Sequence, residues 1–480
     1  YYDHWEDGYE KTHHLRTPVQ TTTQIWGDGN PANGYPPGIT NDIINAGTVI
    51  LLYNTVNPTN TSDVVYDARD KIVANRAISV TRTYWAAGSS TLMAGSIETY
   101  DTSKWGTDYR VPVGQNIPDG TAANDGDHQM FEYTALSIMA SETGTVVMVD
   151  ADNNGTFETT NTLSEGETLF VNGGVNVGGH VVASKPIQVM LFTGDIGSNY
   201  ETRDTTLMPV SLWSTNYVTP VATATNTTGT RVWLYNPYTN SIAVYYRNRV
   251  GTNSMTTGSV TIGTGTNGYA SVMVPDASGT QFYTTNSPAV VFYAYSATDS
   301  STVSTSGNQS WDWSFALLPK QLLTPQVLVG LGIGRDPLSN VNTNEDGNPI
   351  WVTPIGNGES NVTVYVDFHG DNKGAYTDPN GNHYDTNFVA RELQPLKIYD
   401  PDGDQSGMLI YVLSTNVTLA GAWGQDPTTA TAGEPGLDAG TAVPPIDVFD
   451  VSKSLALVND LDGNGQLSPG ERISYAVFCL

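Results

Sequence analysis

A chain of 480 residues exceeds one ordinary hydrophobic core, so about three or four domains are expected. Its formal charge of −28, from 48 Asp and Glu against 20 Lys and Arg, argues against nucleic acid as a partner, because phosphate binding needs a basic surface. The 48 Gly, 26 Pro and 39% hydrophobic residues disfavour helices and disorder, and favour strands joined by tight turns. The single cysteine, Cys479, excludes a disulfide within the chain, and no apolar run is long enough for a membrane span.

The first predicted unit, residues 1–118, opens with an irregular aromatic segment and continues with strands near 48–53 and 78–80. It ends on the motif Trp105-Gly-Thr-Asp-Tyr109-Arg-Val-Pro112-Val113. The same pattern returns 108 residues later as Trp213-Ser-Thr-Asn-Tyr217-Val-Thr-Pro220-Val221. Self-similarity at a fixed spacing indicates repeated structural units.

Three further units are predicted over residues 128–222, 228–330 and 348–445. An apolar strand from Ser184 to Thr193 precedes the second aromatic motif, and fainter copies begin at Asn286 and Thr415. The third unit offers roughly seven strand candidates, the number that an immunoglobulin-like sandwich needs. We therefore predict an all-β protein of tandem antiparallel Ig-like β-sandwich units. The alternative is a propeller-like or ring arrangement of the four β repeats.

Alternating acidic residues mark two loops that we predict to bind calcium. Ca²⁺ prefers about six to eight hard oxygen ligands, which carboxylates at alternate positions of a tight loop can provide. The predicted ligands are Asp150, Asp152, Asn154 and Glu158 in the second unit, and Asp400, Asp402 and Asp404 in the fourth. In each loop the alternative is a hairpin turn whose Asp side chains cap their own backbone.

The last segment, residues 447–480, carries the most specific motif of the chain. Positions 1, 3, 5, 7 and 12 of an EF-hand-type calcium loop are occupied by Asp460, Asp462, Asn464, Gln466 and Glu471. Strand-like flanks at 451–458 and 473–478 predict a calcium loop without the two helices of an EF-hand. A solvated Asp/Gly turn is the alternative.

Known catalytic motifs are missing from the sequence. It contains no H-E-x-x-H, no G-x-S-x-G and no Cys/His metal spacing. The one G-x-G-x-x-G match, Gly263 to Gly268, lies between two predicted strands with no helix after it, which indicates a hairpin turn. We therefore predict that the chain is not an enzyme and that its cofactor is structural Ca²⁺.

Four stretches resemble a known family: Tyr1 to Glu10, Tyr100 to Gly106, Thr193 to Glu201 and Ala422 to Pro427. They are similar to the N-terminal module of large secreted bacterial surface proteins, which resembles the N-terminal region of IgGFc-binding protein. The likeness covers residues 1–445. It implies an extracellular β protein at a cell surface.

The segment from Val451 to Tyr475 resembles the opening of the Ig-like repeats of unknown function that occur in tandem on prokaryotic surface proteins. Such a repeat normally continues for several more strands, so we hypothesise that residues 447–480 donate strands to a neighbouring copy. A head-to-tail contact that does not close gives a filament.

These patterns together predict an extracellular structural protein of a microbial surface layer, sheath or filament. The predicted partner is a second copy of the chain, in a homopolymer stabilised by calcium. The alternative is a cell-surface adhesin that binds a glycan or a host protein.

Overall fold

The structure is a computed structural model that describes most of the chain between residues 95 and 446. The described residues are 2–3, 46–49, 71–72, 76–84, 95–117, 130–194, 203–221, 230–286, 288–298, 313–332, 348–358, 360–424 and 440–446, with the backbone alone at 451–459 and 472–479. No helix in these ranges is long and apolar enough to cross a membrane.

Strands account for the regular structure of the described residues, apart from four 3₁₀ turns. The turns are Thr102–Lys104, Val210–Leu212, Gly265–Asn267 and Lys320–Leu322. The strands are β1 Tyr2–Asp3, β2 Lys71–Ile72, β3 Thr81–Tyr84, β4 Gly95–Glu98, β5 Gly106–Arg110, β6 Tyr133–Ala140, β7 Thr145–Asp150, β8 Thr159–Leu163, β9 Thr168–Val171, β10 His180–Gly194, β11 Arg203–Thr206, β12 Asn216–Thr219, β13 Arg231–Tyr235, β14 Ile242–Val250, β15 Thr256–Ile262, β16 Tyr269–Met273, β17 Ser278–Tyr283, β18 Tyr293–Thr298, β19 Trp313–Ala316, β20 Gln326–Leu328, β21 Ile350–Ile355, β22 Val362–Asp367, β23 Tyr376–Thr377, β24 His383–Tyr384, β25 Thr386–Ala390, β26 Leu396–Ile398, β27 Leu409–Val412, β28 Thr418–Gly424, β29 Gly440–Val443, β30 Val451–Asn459 and β31 Arg472–Cys479. The prediction of an all-β fold is confirmed.

Two stretches of the chain repeat the same arrangement of eight strands in two four-stranded antiparallel sheets. In the third unit the sheet orders are β12-β17-β14-β15 and β16-β13-β18-β19. In the fourth unit they are β20-β27-β22-β25 and β26-β21-β28-β29. If the strands of a unit are counted from one to eight along the chain, leaving out the separate hairpin β23–β24 of the fourth unit, both units have the orders 1-6-3-4 and 5-2-7-8.

The second unit has the same topology, but one long strand, β10, serves as both its sixth and its seventh strand. The first part of β10, from His180, pairs with β7 and β5. The part from Ile187 to Gly194 pairs with β6, and its last residues also pair with β11. The register shifts between Val182 and Ile187, where Pro186 cannot donate to a ladder. The two parts of β10 thereby join the strands of the second unit into one seven-stranded sheet.

Apolar residues on the inner strand faces form the cores. In the fourth unit one cluster joins Val364 and Ile410 of the first sheet to Val352, Leu419 and Trp423 of the second. Alternation along β22, where Val362, Val364 and Val366 are buried, sends every second side chain into this core. A larger cluster extends through the second and third units and into strands of the fourth.

The repeated aromatic motif has a structural role at the start of a unit, where its Trp and Tyr side chains form hydrogen bonds with backbone groups. The indole N–H of Trp105 donates to the carbonyl of Tyr100 at 3.0 Å, and that of Trp213 donates to Met208 at 3.1 Å. The hydroxyl of Tyr217 donates to the Phe292 carbonyl at 2.7 Å and accepts from the Ser214 amide at 2.9 Å. The Tyr109 hydroxyl makes the matching pair of bonds, accepting from the Gly106 amide and donating to the Ile187 carbonyl, so the two copies satisfy equivalent backbone groups.

The strands that carry this motif, β5 and β12, also show where one unit ends and the next begins. The strand β5, which the predicted boundaries place at the end of the first unit, pairs with β10 of the second. Likewise β12 pairs with β17 of the third unit. Each motif therefore opens the unit that follows it.

The last strands of the four units meet in a closed cycle. β4 contacts β11, β11 contacts β19, β19 contacts β29, and β29 contacts β4. The Trp313 ring of β19 packs directly on Gly440 of β29, where there is no room for a side chain. β4 and the second, third and fourth units therefore contact one another through these four strands.

A buried carboxyl group links the strands of this cycle. Glu98 of β4 is fully buried, and it accepts hydrogen bonds from the hydroxyls of Tyr100 at 3.1 Å, Thr205 of β11 at 3.3 Å, and Thr441 of β29. Its backbone carbonyl accepts from Thr206 at 2.8 Å. Burial raises the pKa of Glu98 from 4.5 to about 7, although these hydrogen bonds lower it in part.

We expect acidification to stabilise the fold through Glu98. Its folded pKa lies above the unfolded value, so the stabilisation is complete below pH 4.5 and is lost as pH rises through 7. The loss amounts to about 3 kcal/mol of unfolding free energy. Glu98→Gln keeps a neutral hydrogen-bonding side chain, so it should flatten this dependence and raise stability at pH 8.

Chemical denaturation of the parent and the variant between pH 5 and 8 measures the effect. Glu142→Gln, which changes an exposed carboxylate, is the matched control and should retain the parental slope. An unchanged slope in Glu98→Gln would show that another group titrates.

Candidate functional site

The loops that follow β7 and β22 lie at equivalent ends of the second and fourth units. Asp150 is the last residue of β7 and Asp367 is the last residue of β22, and each of these is the third strand of its unit. Both carboxylates are buried and accept backbone N–H bonds from the loop that follows. The end of the third strand thus organises each loop in the same way.

In the second unit the loop wraps around its own carboxylates. Asp150 accepts from the amides of Asn154 at 3.0 Å and Gly155 at 2.9 Å, and Asp152 accepts from Asn154 at 3.1 Å. Glu158 reaches back to accept from the Ala151 amide at 3.1 Å. Gly155 has a φ of 90°, a value that favours glycine at this tight turn.

Three of the predicted ligands converge in this loop. One carboxylate oxygen each from Asp150, Asp152 and Glu158 lies within 4.8 Å of the others. Asp150 is buried, whereas the other two carboxylates are exposed. The side-chain oxygen of Asn154 accepts from the Thr156 amide at 2.8 Å. Several carboxylate oxygens around one point are what a hard divalent cation requires.

In the fourth unit the three predicted ligands form a series of backbone caps. Asp400 accepts from the Asp402 amide at 3.0 Å, Asp402 accepts from Asp404 at 2.9 Å, and Asp404 accepts from Ser406 at 2.9 Å. Each carboxylate thereby keeps its second oxygen for another partner. The calcium prediction for this loop stays a prediction.

A pocket of about 340 Å³ lies between this loop and the one after β22. Asp400 and Asp402 line it from one side, and His369, Asp371 and Lys373 line it from the other. The Lys373 ammonium donates to Asp371 at 2.8 Å. The pocket therefore has an acidic lining with one ammonium group at its edge.

Asp400 is the buried group of this pocket. Its exposure is 5%, and its Oδ2 atom has no hydrogen-bond partner. The nearest basic atom is His369 Nδ1, at 3.6 Å. Burial raises the pKa of Asp400 to about 6. For His369, burial lowers the pKa, but the Phe368 backbone and the carboxylates of Asp400, Asp402 and Asp371 raise it on balance.

The sharpest sequence motif cannot be placed. Its predicted ligands, Asp460, Asp462, Asn464, Gln466 and Glu471, lie outside the described residues. Its flanks form the antiparallel hairpin of β30 and β31, whose register runs from Val451 opposite Cys479 to Asn459 opposite Arg472. The loop therefore joins two paired strands, and its calcium prediction stays a prediction.

Stacked tyrosines occupy the same register in the third and fourth units, on the sheets β12-β17-β14-β15 and β20-β27-β22-β25. Tyr245 and Tyr283 are cross-strand neighbours with ring centroids 6.0 Å apart, and Tyr365 and Tyr411 are equivalent neighbours at 5.3 Å. An amide side chain continues each row, Asn216 in the third unit and Gln326 in the fourth. The second unit has Met148 and Val182 at this register instead.

In the fourth unit the β23–β24 hairpin extends this aromatic row. The Tyr384 ring meets Tyr365 edge-on at 4.9 Å, and Tyr376 stacks on Tyr384 at 5.6 Å. Tyr376 is 58% exposed, and Tyr245 in the third unit is 39% exposed. Exposed aromatic side chains with nearby polar groups are typical of binding surfaces.

Sequence reasoning located the acidic loops and missed both the pocket and the tyrosine rows. The available signal for the tyrosines was the alternation in β22, which turns Thr363 and Tyr365 outward between buried valines. That signal shows which side of a strand a residue faces. It does not show which residue lies opposite on the neighbouring strand.

Comparisons with known proteins give one family. The family model described as IgGFc binding protein matches residues 95–384, which is 290 of the 480 residues and runs from β4 to β24. No curated protein matches the chain. The family is described by binding and not by a catalytic activity.

Two solved structures match the chain weakly. One, titled as the tetra-tandem repeat in the extending region of a large adhesion protein, is 13% identical over 71% of this chain and 81% of its own, with a TM-score of 0.11. The other, an α-L-rhamnosidase from Dictyoglumus thermophilum, is 8% identical over 75% of this chain and 51% of its own, with a TM-score of 0.10. Scores this low support no conclusion about fold or function.

The family match covers more than half of the chain, and the protein belongs to the IgGFc binding protein family.

Proposed function

We propose that this chain is the binding region of an extracellular surface protein and that it holds a host protein or a glycan without chemical conversion. The tyrosine rows carry the proposal. Two units carry stacked tyrosines at one register, each beside an amide group. Each row has an exposed ring, Tyr245 in the third unit and Tyr376 in the fourth, whereas Tyr411 is buried. Aromatic rings offer a large contact area at low conformational entropy, and neighbouring amides add directional hydrogen bonds.

The family supports the binding part of this proposal. Its description names the Fc part of IgG, which makes Fc the first protein partner to test. An extracellular location is supported by the same family and by the resemblance of residues 1–445 to secreted surface proteins.

We expect a Tyr245→Ala, Tyr365→Ala double variant to lose binding at least tenfold, because each substitution removes an aromatic contact. Surface plasmon resonance against immobilised IgG Fc, together with a glycan array, measures the loss. Tyr238→Ala is the matched control, since Tyr238 is also 39% exposed but lies in the loop between β13 and β14, outside the paired tyrosines. Equal binding by all variants, or no binding by the parent protein, would refute the proposal.

Calcium is proposed as a structural cofactor at the loop of Asp150, Asp152 and Glu158. The convergence of these carboxylates supports it, because like charges held close together are stabilised by a shared cation. A cation at this loop would fix the end of β7 against the loop that precedes β10. The two loops are already joined, because the Asn153 side chain donates to the Val177 carbonyl at 3.1 Å and the Asn176 side chain donates to the Asp152 carbonyl at 3.2 Å.

We expect added Ca²⁺ to raise the melting temperature, and EDTA to lower it. Glu158→Gln retains an acceptor for the Ala151 amide but loses the charge, so it should weaken calcium binding about tenfold at this loop. Calorimetric titration of the intact protein measures the number of sites and their affinities. Asp276→Asn, an exposed loop carboxylate, should behave like the parent. If the parent and Glu158→Gln bind calcium identically, the ion is not held here.

A second candidate function is a structural subunit of a surface layer, sheath or filament. It is favoured by the hairpin β30–β31, which pairs with no other strand among the described residues. Unpaired strand edges are templates for strands of another chain.

Removal of residues 447–480 should then abolish polymers of the intact protein and leave the four units folded. Electron microscopy and sedimentation of the full and shortened chains test this expectation. Polymers formed by the shortened chain would exclude the hairpin as the assembly element.

A further inference from the structure

The pocket of the fourth unit differs in kind from the carboxylate cluster of the second. In the described part of the chain, three acidic ligand atoms lie within 4.8 Å of one another at Asp150, Asp152 and Glu158. The carboxylates of the unit 4 pocket form no such group, although they too are described. They line an open pocket of about 340 Å³, which has room for a group much larger than one bound water. The space suits a larger cation than a metal ion.

The buried oxygen of Asp400 specifies the charge of the occupant. Asp400 is 5% exposed, and its Oδ2 atom lacks a hydrogen-bond donor while Oδ1 caps the Asp402 amide. A buried carboxylate oxygen without a donor is costly, and a charged N–H group offsets that cost more strongly than a neutral one. His369 Nδ1 lies 3.6 Å from Oδ2, which is within ion-pair range but too long for a hydrogen bond.

The other walls fit an alkyl stem that ends in a cationic group. Phe368, Gly374 and Pro401 contribute apolar surface, and Asp385 and Asp402 add carboxylates. Long basic side chains place their methylenes on apolar surface and their charge among acceptors. The ammonium of Lys373, bonded to Asp371 at 2.8 Å, shows that the edge of the pocket already accommodates a group of this type.

We propose that this pocket binds the basic side chain, lysine or arginine, of a partner polypeptide. The inference rests on the proposed binding function and adds the chemistry of one contact. The formal charge of −28 supports it, because an acidic protein attracts basic surfaces over long range. Arginine fits best, since its planar guanidinium can donate to two carboxylates at once.

The direct test titrates the full-length protein with N-acetyl-arginine amide. N-acetyl-citrulline amide is the matched neutral probe, because a urea replaces the guanidinium with little change in shape. The imidazole resonances of His369, assigned with His369→Gln, report occupancy of the pocket. We expect saturable shifts with the arginine probe, and affinity for the citrulline probe at least tenfold lower.

Two carboxylate variants locate the contact. Asp400→Asn should weaken arginine binding at least tenfold, whereas Asp404→Asn removes a neighbouring cap that does not line the pocket and should bind as the parent does. If Asp400→Asn fails to fold, Asp402→Asn, on the more open side of the loop, replaces it with the same expected direction.

Three results would overturn the inference. The first is equal affinity for the arginine and citrulline probes. The second is a loss of arginine affinity in Asp404→Asn as large as that in Asp400→Asn. The third is displacement of the arginine probe by micromolar Ca²⁺ that disappears in Asp404→Asn, since this would identify a calcium-binding loop. Arginine binding at Asp400 by a protein that captures neither Fc nor glycan would leave the pocket in place and refute the proposed function instead. Capture of a partner through the tyrosine rows without arginine binding would support the proposed function and refute the pocket inference.

Discussion

The contact among the four closing strands is the constraint on which the rest of this molecule depends. Each of these strands fits against two others, and the large Trp313 ring is accommodated because Gly440 leaves no side chain in its way. Glu98 joins three parts of this contact by accepting from the hydroxyls of Tyr100, Thr205 and Thr441. A carboxyl group held this way is neutral or charged within the range of neutral pH, so the centre of the molecule is sensitive to acidity.

The closed cycle leaves the outer sheet faces and the loop ends of the sandwiches for other roles. On the outer faces, the third and fourth units carry tyrosines where the second unit has Met148 and Val182. At the loop ends, the second unit gathers three carboxylates tightly and the fourth opens a pocket. One scaffold therefore presents different chemistry from unit to unit, since strand pairing fixes the backbone and leaves outward positions free to vary.

Contacts between units also involve buried charge. Arg247 and Arg249 of the third unit bond to Glu392 of the fourth, through its carboxylate at 2.9 Å and its carbonyl at 2.7 Å. The Thr353 hydroxyl donates to the Pro220 carbonyl at 2.7 Å across the same boundary. Hydrogen bonds depend strongly on distance and angle, so these contacts favour one fixed orientation of the third unit relative to the fourth.

The sequence by itself determined the β class, the repeat and the acidic loops. These are local properties: strand alternation, Gly and Pro at turns, and Asp at alternate loop positions appear in consecutive residues. The role of the Trp105 and Trp213 motifs was only half visible, because the carbonyls that Tyr109 and Tyr217 bind lie 75 or more residues away. Tertiary structure alone decided that the closing strands meet, that Glu98 is buried among them, and that Tyr365 lies beside Tyr411. Those facts depend on which strands become neighbours, and pairing between distant segments is set by the packing of the whole chain and not by any one stretch of it.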